Sequence, residues 1–411
     1  MKQKRASHLE PFWQHHHALL RDPHQIVCQW QSASEVDLEL LRYHIRGPFW
    51  DILEETGRTL IVTREYEHLV LALGVVNGRP RISYLHLPHP NGLAIDPERR
   101  ELFIASTRNP NMVFAFTPCK GEWDAPSTGT LPHKEGRETT AGMLLPMRSW
   151  YLPGCLYLHD LAWIDGALFA NAVGLNAVVR LPEAGGFEPA WWPRCIDSEP
   201  GPRFDRNYLQ LNSIAAGPTI AESYFSASAE RPGERRPGHL SFTVNRRGVI
   251  FSGATREVVC RGLTRPHSAR LHRGQLWIDN SGYGEVGRAI AGQFEATACL
   301  PGWTRGLFFH GNKVFVGTSR IIPRFRHYAP GLSPDKCESA VHVLDQKSGD
   351  VVASLVWPNG NQIFAVEGMD RAWSIGFPFE YSSRRGIGRI TALFSRGLTH
   401  PTASGECGGC A

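Results

Sequence analysis

Leu161-Ala162-Trp163-Ile164-Asp165-Gly166-Ala167-Leu168-Phe169-Ala170-Asn171 is an apolar run, an Asp-Gly turn and a second apolar run. Asp-Gly supplies the positive φ angles of a tight hairpin, and strand formers flank it, so the stretch predicts two antiparallel strands. The same sentence recurs outward along the chain. Residues 60–63 are followed by the apolar run 68–73, and residues 92–96 turn through 97–100 into 102–105. Residues 268–271 turn at Arg273-Gly274 into 276–279, and residues 306–309 turn at Gly311-Asn312 into 314–317.

Such self-similarity, at intervals of roughly 35 to 70 residues with about four short strands each, predicts an all-β chain folded as a β-propeller. A single unit cannot bury both faces of its sheet, whereas units arranged around an axis bury each other. Units begin near residues 57, 89, 159, 211, 266 and 304, which gives about six blades. A seventh start near residues 362–366 is either a further blade or part of the ring closure. The run Arg389-Ile390-Thr391-Ala392-Leu393-Phe394 is placed to complete the first unit.

Composition agrees. Glycine (41), proline (29), tryptophan (12) and phenylalanine (20) are plentiful, as many short turn-linked strands require. Three regions are expected: an extension over residues 1–55, partly helical or disordered; a propeller over 56–398; and a flexible tail over 399–411. Within the extension, residues 33–43 have the spacing of one short helix. Residues 120–153 and 226–240 are rich in turn and polar residues and read as long surface loops.

The formal net charge of +5 is spread along the chain without a basic stripe, which argues against nucleic acid as partner. No apolar stretch approaches a membrane span, and the basic N-terminus lacks the apolar run of a signal peptide. Nine scattered cysteines in a chain of this size read as reduced thiols, so the expectation is a cytoplasmic protein. Cys407-Gly408-Gly409-Cys410 is a C-x-x-C pair without a second pair beside it. It reads as two free thiols, or as a redox or metal-delivery tail. The triplet His15-His16-His17 chelates metal adventitiously without constituting a site.

In a propeller the starts of the innermost strands line one mouth of the central channel. Those starts read His89-Pro90-Asn91-Gly92, His159-Asp160-Leu161, Leu211-Asn212-Ser213, Pro266-His267-Ser268 and Trp303-Thr304-Arg305. His89, His159 and His267 are therefore candidate ligands of one transition-metal ion (Zn, Fe or Cu), with Asp160 orienting an imidazole. Asn91, Asn212, Gln210 and Ser268 are candidate ligand-binding residues. Arg305 and Asp160 are candidate catalytic residues, Arg305 by fixing an anionic group. The competing reading makes these histidines turn caps and pairs Arg305 with a structural carboxylate such as Asp160. Gly282-Tyr283-Gly284-Glu285-Val286-Gly287 has a dinucleotide-loop spacing, but it falls between two strands where the required helix cannot fit.

Several longer phrases carry a family resemblance. They are Thr63-Arg64-Glu65-Tyr66-Glu67-His68, His89-Pro90-Asn91-Gly92-Leu93-Ala94, Ser106-Thr107-Arg108-Asn109-Pro110-Asn111 and Leu158-His159-Asp160-Leu161-Ala162. They continue with Tyr208-Leu209-Gln210-Leu211-Asn212-Ser213, Leu263-Thr264-Arg265-Pro266-His267-Ser268, Leu300-Pro301-Gly302-Trp303-Thr304-Arg305-Gly306-Leu307 and Asn361-Gln362-Ile363-Phe364-Ala365-Val366. With these the chain resembles, over residues 59–367, a family of uncharacterised bacterial proteins carrying a domain of unknown function. That resemblance implies a propeller and no established activity. It also implies a fourth histidine where this chain has Gln210. More distantly, Pro90-Asn91-Gly92-Leu93-Ala94-Ile95-Asp96 resembles the lactonase-like and strictosidine-synthase-like six-bladed propellers. Calcium lactonases need acidic ligands in the mouth, and Asp160 is the only acid among these starts.

Two functions follow as expectations. One is an enzyme with a histidine-lined, metal-bound axial pocket acting on a small molecule or modified peptide. The other is a non-catalytic propeller that binds a ligand or a protein partner. Neither reading fixes the oligomeric state.

Overall fold

The computed structural model describes residues 10–21, 35–108, 111–119, 141–382 and 386–387. Short strands dominate, each continued by a turn into an antiparallel neighbour. Strand Pro90–Asp96 pairs with Glu101–Ser106, then Asn111–Cys119, then Met143–Leu152. Leu158–Ile164 leads a second sheet through Ala167–Ala172, Ala177–Arg180 and Glu188–Trp191. Trp303–His310 leads a third through Lys313–Ser319, Ser339–Asp345 and Val351–Trp357.

An eight-stranded sheet consists of two such meanders. One runs from Leu211–Ala215 to Val258–Leu263 and the other from Pro266–His272 to Gln293–Cys299. They are joined by a single parallel pairing of Arg261 with Gln293. The remaining sheet closes the ring: Ala365–Asp370, late in the chain, pairs with Arg58–Arg64, which continues into Leu69–Val76 and Arg79–His86. The leading strands touch one another in a closed cycle, from Pro90–Asp96 around to Ala365–Asp370 and back. Radial antiparallel sheets around such a cycle make a β-propeller.

Apolar side chains alternate along these strands and fill the spaces between successive sheets. Leu102, Ile104 and Phe116 pack towards Val70 and Phe377 on one side, while Phe103 and Val113 pack towards Leu158 and Leu168 on the other. The leading strands approach so closely that a Cβ on Gly92 would lie 2.5 Å from the Asp160 Cα. Only glycine leaves that contact open.

Several expectations change. Met143–Leu152 is the outermost strand of its sheet and not part of a loop. An outer strand leaves one face in solvent, so residues such as Arg148 and Ser149 gave it the polarity of a loop. The short helix expected over residues 33–43 is reduced to one 3₁₀ turn at Leu38–Leu40, and α-helices form instead at Glu10–Arg21 and Phe49–Thr56. His15-His16-His17 falls within the first of these helices.

Residues 44–56 belong to the propeller body. His44–Arg46 pairs with Val351–Trp357, and Phe49 and Leu53 enter the apolar cluster beside Val62 and Leu71. Residues 389–394 and the pair Cys407 and Cys410 lie outside the described residues. No helix among the described residues is long and apolar enough to cross a membrane.

Candidate functional site

Strand register decides which residues share a level of the mouth. The first residues of the leading strands, Pro90, Leu158, Leu211, Pro266 and Trp303, pair with Ser106, Ala172, Ala227, Asn280 and Ser319 respectively. The second residues are therefore Asn91, His159, Asn212, His267 and Thr304. His89 is two places earlier than His159 and His267. It is equivalent to Tyr157, Gln210 and Arg265, all of which turn into their strands at positive φ, as His89 itself does.

The three candidate histidines consequently separate. His159 and His267 lie near each other, with ring centroids 6.4 Å apart, and both line a cavity of about 780 Å³ at the axial mouth. His89 is not on that cavity wall. Its ring packs edge-on against His68 at 4.3 Å, and its Nδ1 lies 3.8 Å from Glu65 Oε1. Among the described residues, no three histidine, cysteine, aspartate or glutamate side chains are grouped to hold a metal ion.

Asp160 is also placed elsewhere. Its Oδ2 accepts from the Ile214 amide and from Arg270 Nη1, each at 3.0 Å, and Oδ1 accepts from the Leu161 amide. That carboxylate joins three leading strands and is not on the cavity wall. Asn91 and Asn212 repeat one linkage. Asn91 Nδ2 donates to the Leu158 carbonyl, and Asn212 Nδ2 donates to the Pro266 carbonyl at 2.9 Å. Each asparagine thus ties its strand to the first residue of the next. Ser268 Oγ accepts from the Gly306 amide at 2.7 Å. Of these polar candidates, Asn212 and Gln210 reach the cavity wall, and the Gln210 side chain accepts from Asn207 at 3.1 Å.

Arg305 does reach the cavity. It is buried, with its guanidinium 3.5 Å from the centroid of the Phe364 ring. Gln362, with its amide oxygen turned towards Arg305, accepts from Nη1 at 3.1 Å and donates to Glu65 Oε2 at 3.2 Å. Glu65 Oε1 is 3.2 Å from Arg108 Nη2. The result is a chain from Arg305 through Gln362 and Glu65 to Arg108. Burial pushes the Glu65 carboxyl above its ordinary range, against the pull of Arg305 and Arg108.

Positive charge exceeds negative on these walls. The guanidinium groups of Arg108, Arg206, Arg236, Arg265, Arg305 and Arg320 line the cavity, opposed by the carboxylates of Glu65 and Asp205. Arg265 stacks on Tyr328 at 4.0 Å and donates to the Pro237 carbonyl. The two imidazoles add no charge. Burial, reinforced by Arg305 and its neighbours, drives the pKa of both His159 and His267 well below the ordinary histidine value. Aromatic rings complete the walls: His159 is edge-on to Phe364 at 5.5 Å, and His267 lies 5.7 Å from Trp303.

Sequence reasoning missed Glu65, Arg108, Arg265, Gln362 and Phe364 as site residues. All five stand in phrases of the family resemblance. None falls on the first three positions of a leading strand.

The chain is similar to several solved structures. A chain of the nidogen/laminin complex matches at 10% identity and a TM-score of 0.47, covering 76% of this chain and 98% of that one. A calcium-binding regucalcin from Agrobacterium tumefaciens matches at 12% identity and 0.40, covering 64% and 73%. A gluconolactonase from Xanthomonas campestris matches at 12% identity and 0.41, covering 66% and 77%. No curated protein matches. Residues 47–373 match the model of a domain of unknown function, DUF4915, and with most of its length so matched the chain belongs to that family.

Proposed function

We propose that this protein is a six-bladed propeller whose axial cavity binds a small organic anion. The count takes the eight-stranded sheet as two blades, because one parallel pairing joins its halves while each half has its own leading strand in the ring. The observation that carries the function is Arg305. A guanidinium has five N–H donors, and Gln362 is the one described hydrogen-bond acceptor for this buried group. A carboxylate or phosphate entering the cavity would meet donors already oriented by Phe364 and Gln362.

Concavity favours a small molecule over a protein partner. The volume is that of a small-molecule site, and the charged group lies inside it and not on a rim. The imidazoles of His159 and His267 line the same cavity as Arg305, where a bound molecule would meet polar ring edges, which supports an enzymatic reading of the same cavity. A metal-dependent version rests on those two histidines without His89.

Calorimetric titration with phenylacetate and with inorganic phosphate tests the reading. At least one anion should bind the wild type, and Arg305→Gln should weaken it by about tenfold or more. Arg108→Gln serves as a second variant if Arg305→Gln fails to fold. Absence of binding by both anions, or binding indifferent to both substitutions, would overturn the proposal.

A further inference from the structure

The surroundings of His267 define a second feature of the ligand. His267 Nδ1 lies 2.9 Å from the Arg265 carbonyl oxygen and 3.0 Å from Ser281 Oγ. A carbonyl oxygen can only accept, so Nδ1 carries the ring proton. Ser281 gives its own hydrogen to the Thr304 carbonyl at 2.7 Å, which leaves its oxygen as an acceptor towards Nδ1 as well. Both neighbours select the same tautomer. The proton-bearing edge of the ring is thereby held against the protein, and Nε2 is left with its lone pair.

The environment keeps the ring in that state. His267 is buried, and Arg305, His159 and Arg265 all oppose a positive charge on it. Its neighbour His159 has no comparable anchor, because His159 Nδ1 is buried without a hydrogen-bond partner. Of the two imidazoles, His267 alone has its tautomer fixed by described contacts.

We infer that His267 Nε2 is a preset hydrogen-bond acceptor of the axial cavity, and that the ligand carries a hydroxyl or N–H group beside its anionic group. This rests on the anion-binding reading above and adds the chemical class of the ligand to it. The guanidinium groups of the wall can only donate. A plain anion would satisfy Arg305 and leave Nε2 without a partner, whereas a hydroxy acid or an N–H-bearing acid would satisfy both. Trp303 and Phe364 offer apolar faces for the rest of such a molecule.

Mandelate and phenylacetate form a matched pair of probes, differing by one α-hydroxyl. Mandelate should bind the wild type about tenfold more tightly, the worth of one well-placed hydrogen bond. His267→Asn keeps a donor towards Arg265 and removes the acceptor, so the preference should vanish. His267→Gln returns an oxygen near the Nε2 position and should restore part of it.

Nitrogen NMR of histidine-labelled wild type, assigned with whichever of His267→Asn and His267→Gln folds, reads the tautomer directly and does not depend on ligand. It should show a neutral ring with a protonated Nδ1. Equal affinity of the two acids, both Arg305-dependent, would overturn this inference and leave the anion site standing. A proton on Nε2 would overturn it too. Binding of neither acid would overturn this inference, and if inorganic phosphate also failed to bind, the anion site would fall with it.

Discussion

Arg270 Nη1 lies 3.0 Å from Asp160 Oδ2, and the pair joins the second and fourth leading strands counted from Pro90. Asp160 stands next to a cavity-lining histidine in sequence, yet its side chain faces Ile214 and Arg270. Its charge is bound into the frame of the channel. Glu367 also acts on Arg270, so the pair has partial support from a third charged group.

Asp160→Asn should therefore act on stability and spare binding. It leaves the largely buried Arg270 with Glu367 and Asp279 as its remaining acidic neighbours, at a cost of about 3 kcal/mol. Urea denaturation should show that loss. Anion affinity should stay within about threefold of wild type, because Asp160 is not on the cavity wall.

The repeated asparagine linkage has a comparable consequence. Asn212→Ala removes donors to Ser228 Oγ and to the Pro266 carbonyl, at 3.0 and 2.9 Å, and leaves both without that partner. A loss of about 2 kcal/mol in denaturation is expected. Asn212→Asp should be at least as harmful, since a carboxylate cannot donate to a carbonyl.

Stability should fall on mild acidification. His342 is buried between Thr318 Oγ1 and Ser354 Oγ, at 3.1 and 2.8 Å, and burial holds its pKa down at about 4. Above about pH 6.5 the ring is neutral in folded and unfolded chains alike, and pH has no effect through it. Between about 6.5 and 4 the unfolded chain binds a proton that the folded chain refuses, so stability declines as pH drops. The full decline from His342 is about 3 kcal/mol. His159 and His267 act in the same direction. The pH slope of the unfolding free energy should be shallower in His342→Gln by about 1.4 kcal/mol per unit across that window.

Metal analysis of protein purified without a histidine tag should give substoichiometric transition metal. His159 and His267 are not joined by a third described histidine, cysteine, aspartate or glutamate in a ligating group. One equivalent of metal in wild type, lost in His159→Ala, would favour a metal centre on these two histidines instead.

Sequence alone made the fold legible because hairpin chemistry is local. Asp165-Gly166 and Arg273-Gly274 are positive-φ turns in the structure, as their residue types demand. Outer strands were harder to see, since Met143–Leu152 carries the polarity of an exposed surface. The site was legible only in part for a related reason. His89 and His159 both stand at strand starts, and only the pairing of Pro90 with Ser106 and Leu158 with Ala172 shows that they are two places out of step. Arg305 was legible because it is the third residue of its leading strand. Glu65 and Arg108 follow the second strands of their sheets, Arg58–Arg64 and Glu101–Ser106, and it is pairing with the leading strands that brings them to the mouth.

The anion site itself is tested most directly by a crystal structure of the protein with para-bromophenylacetate, located by the anomalous signal of bromine. Bromine should lie within the axial cavity, with the carboxylate in hydrogen-bond reach of the Arg305 guanidinium. Bromine bound only outside the cavity, with Arg305 facing solvent alone, would contradict it.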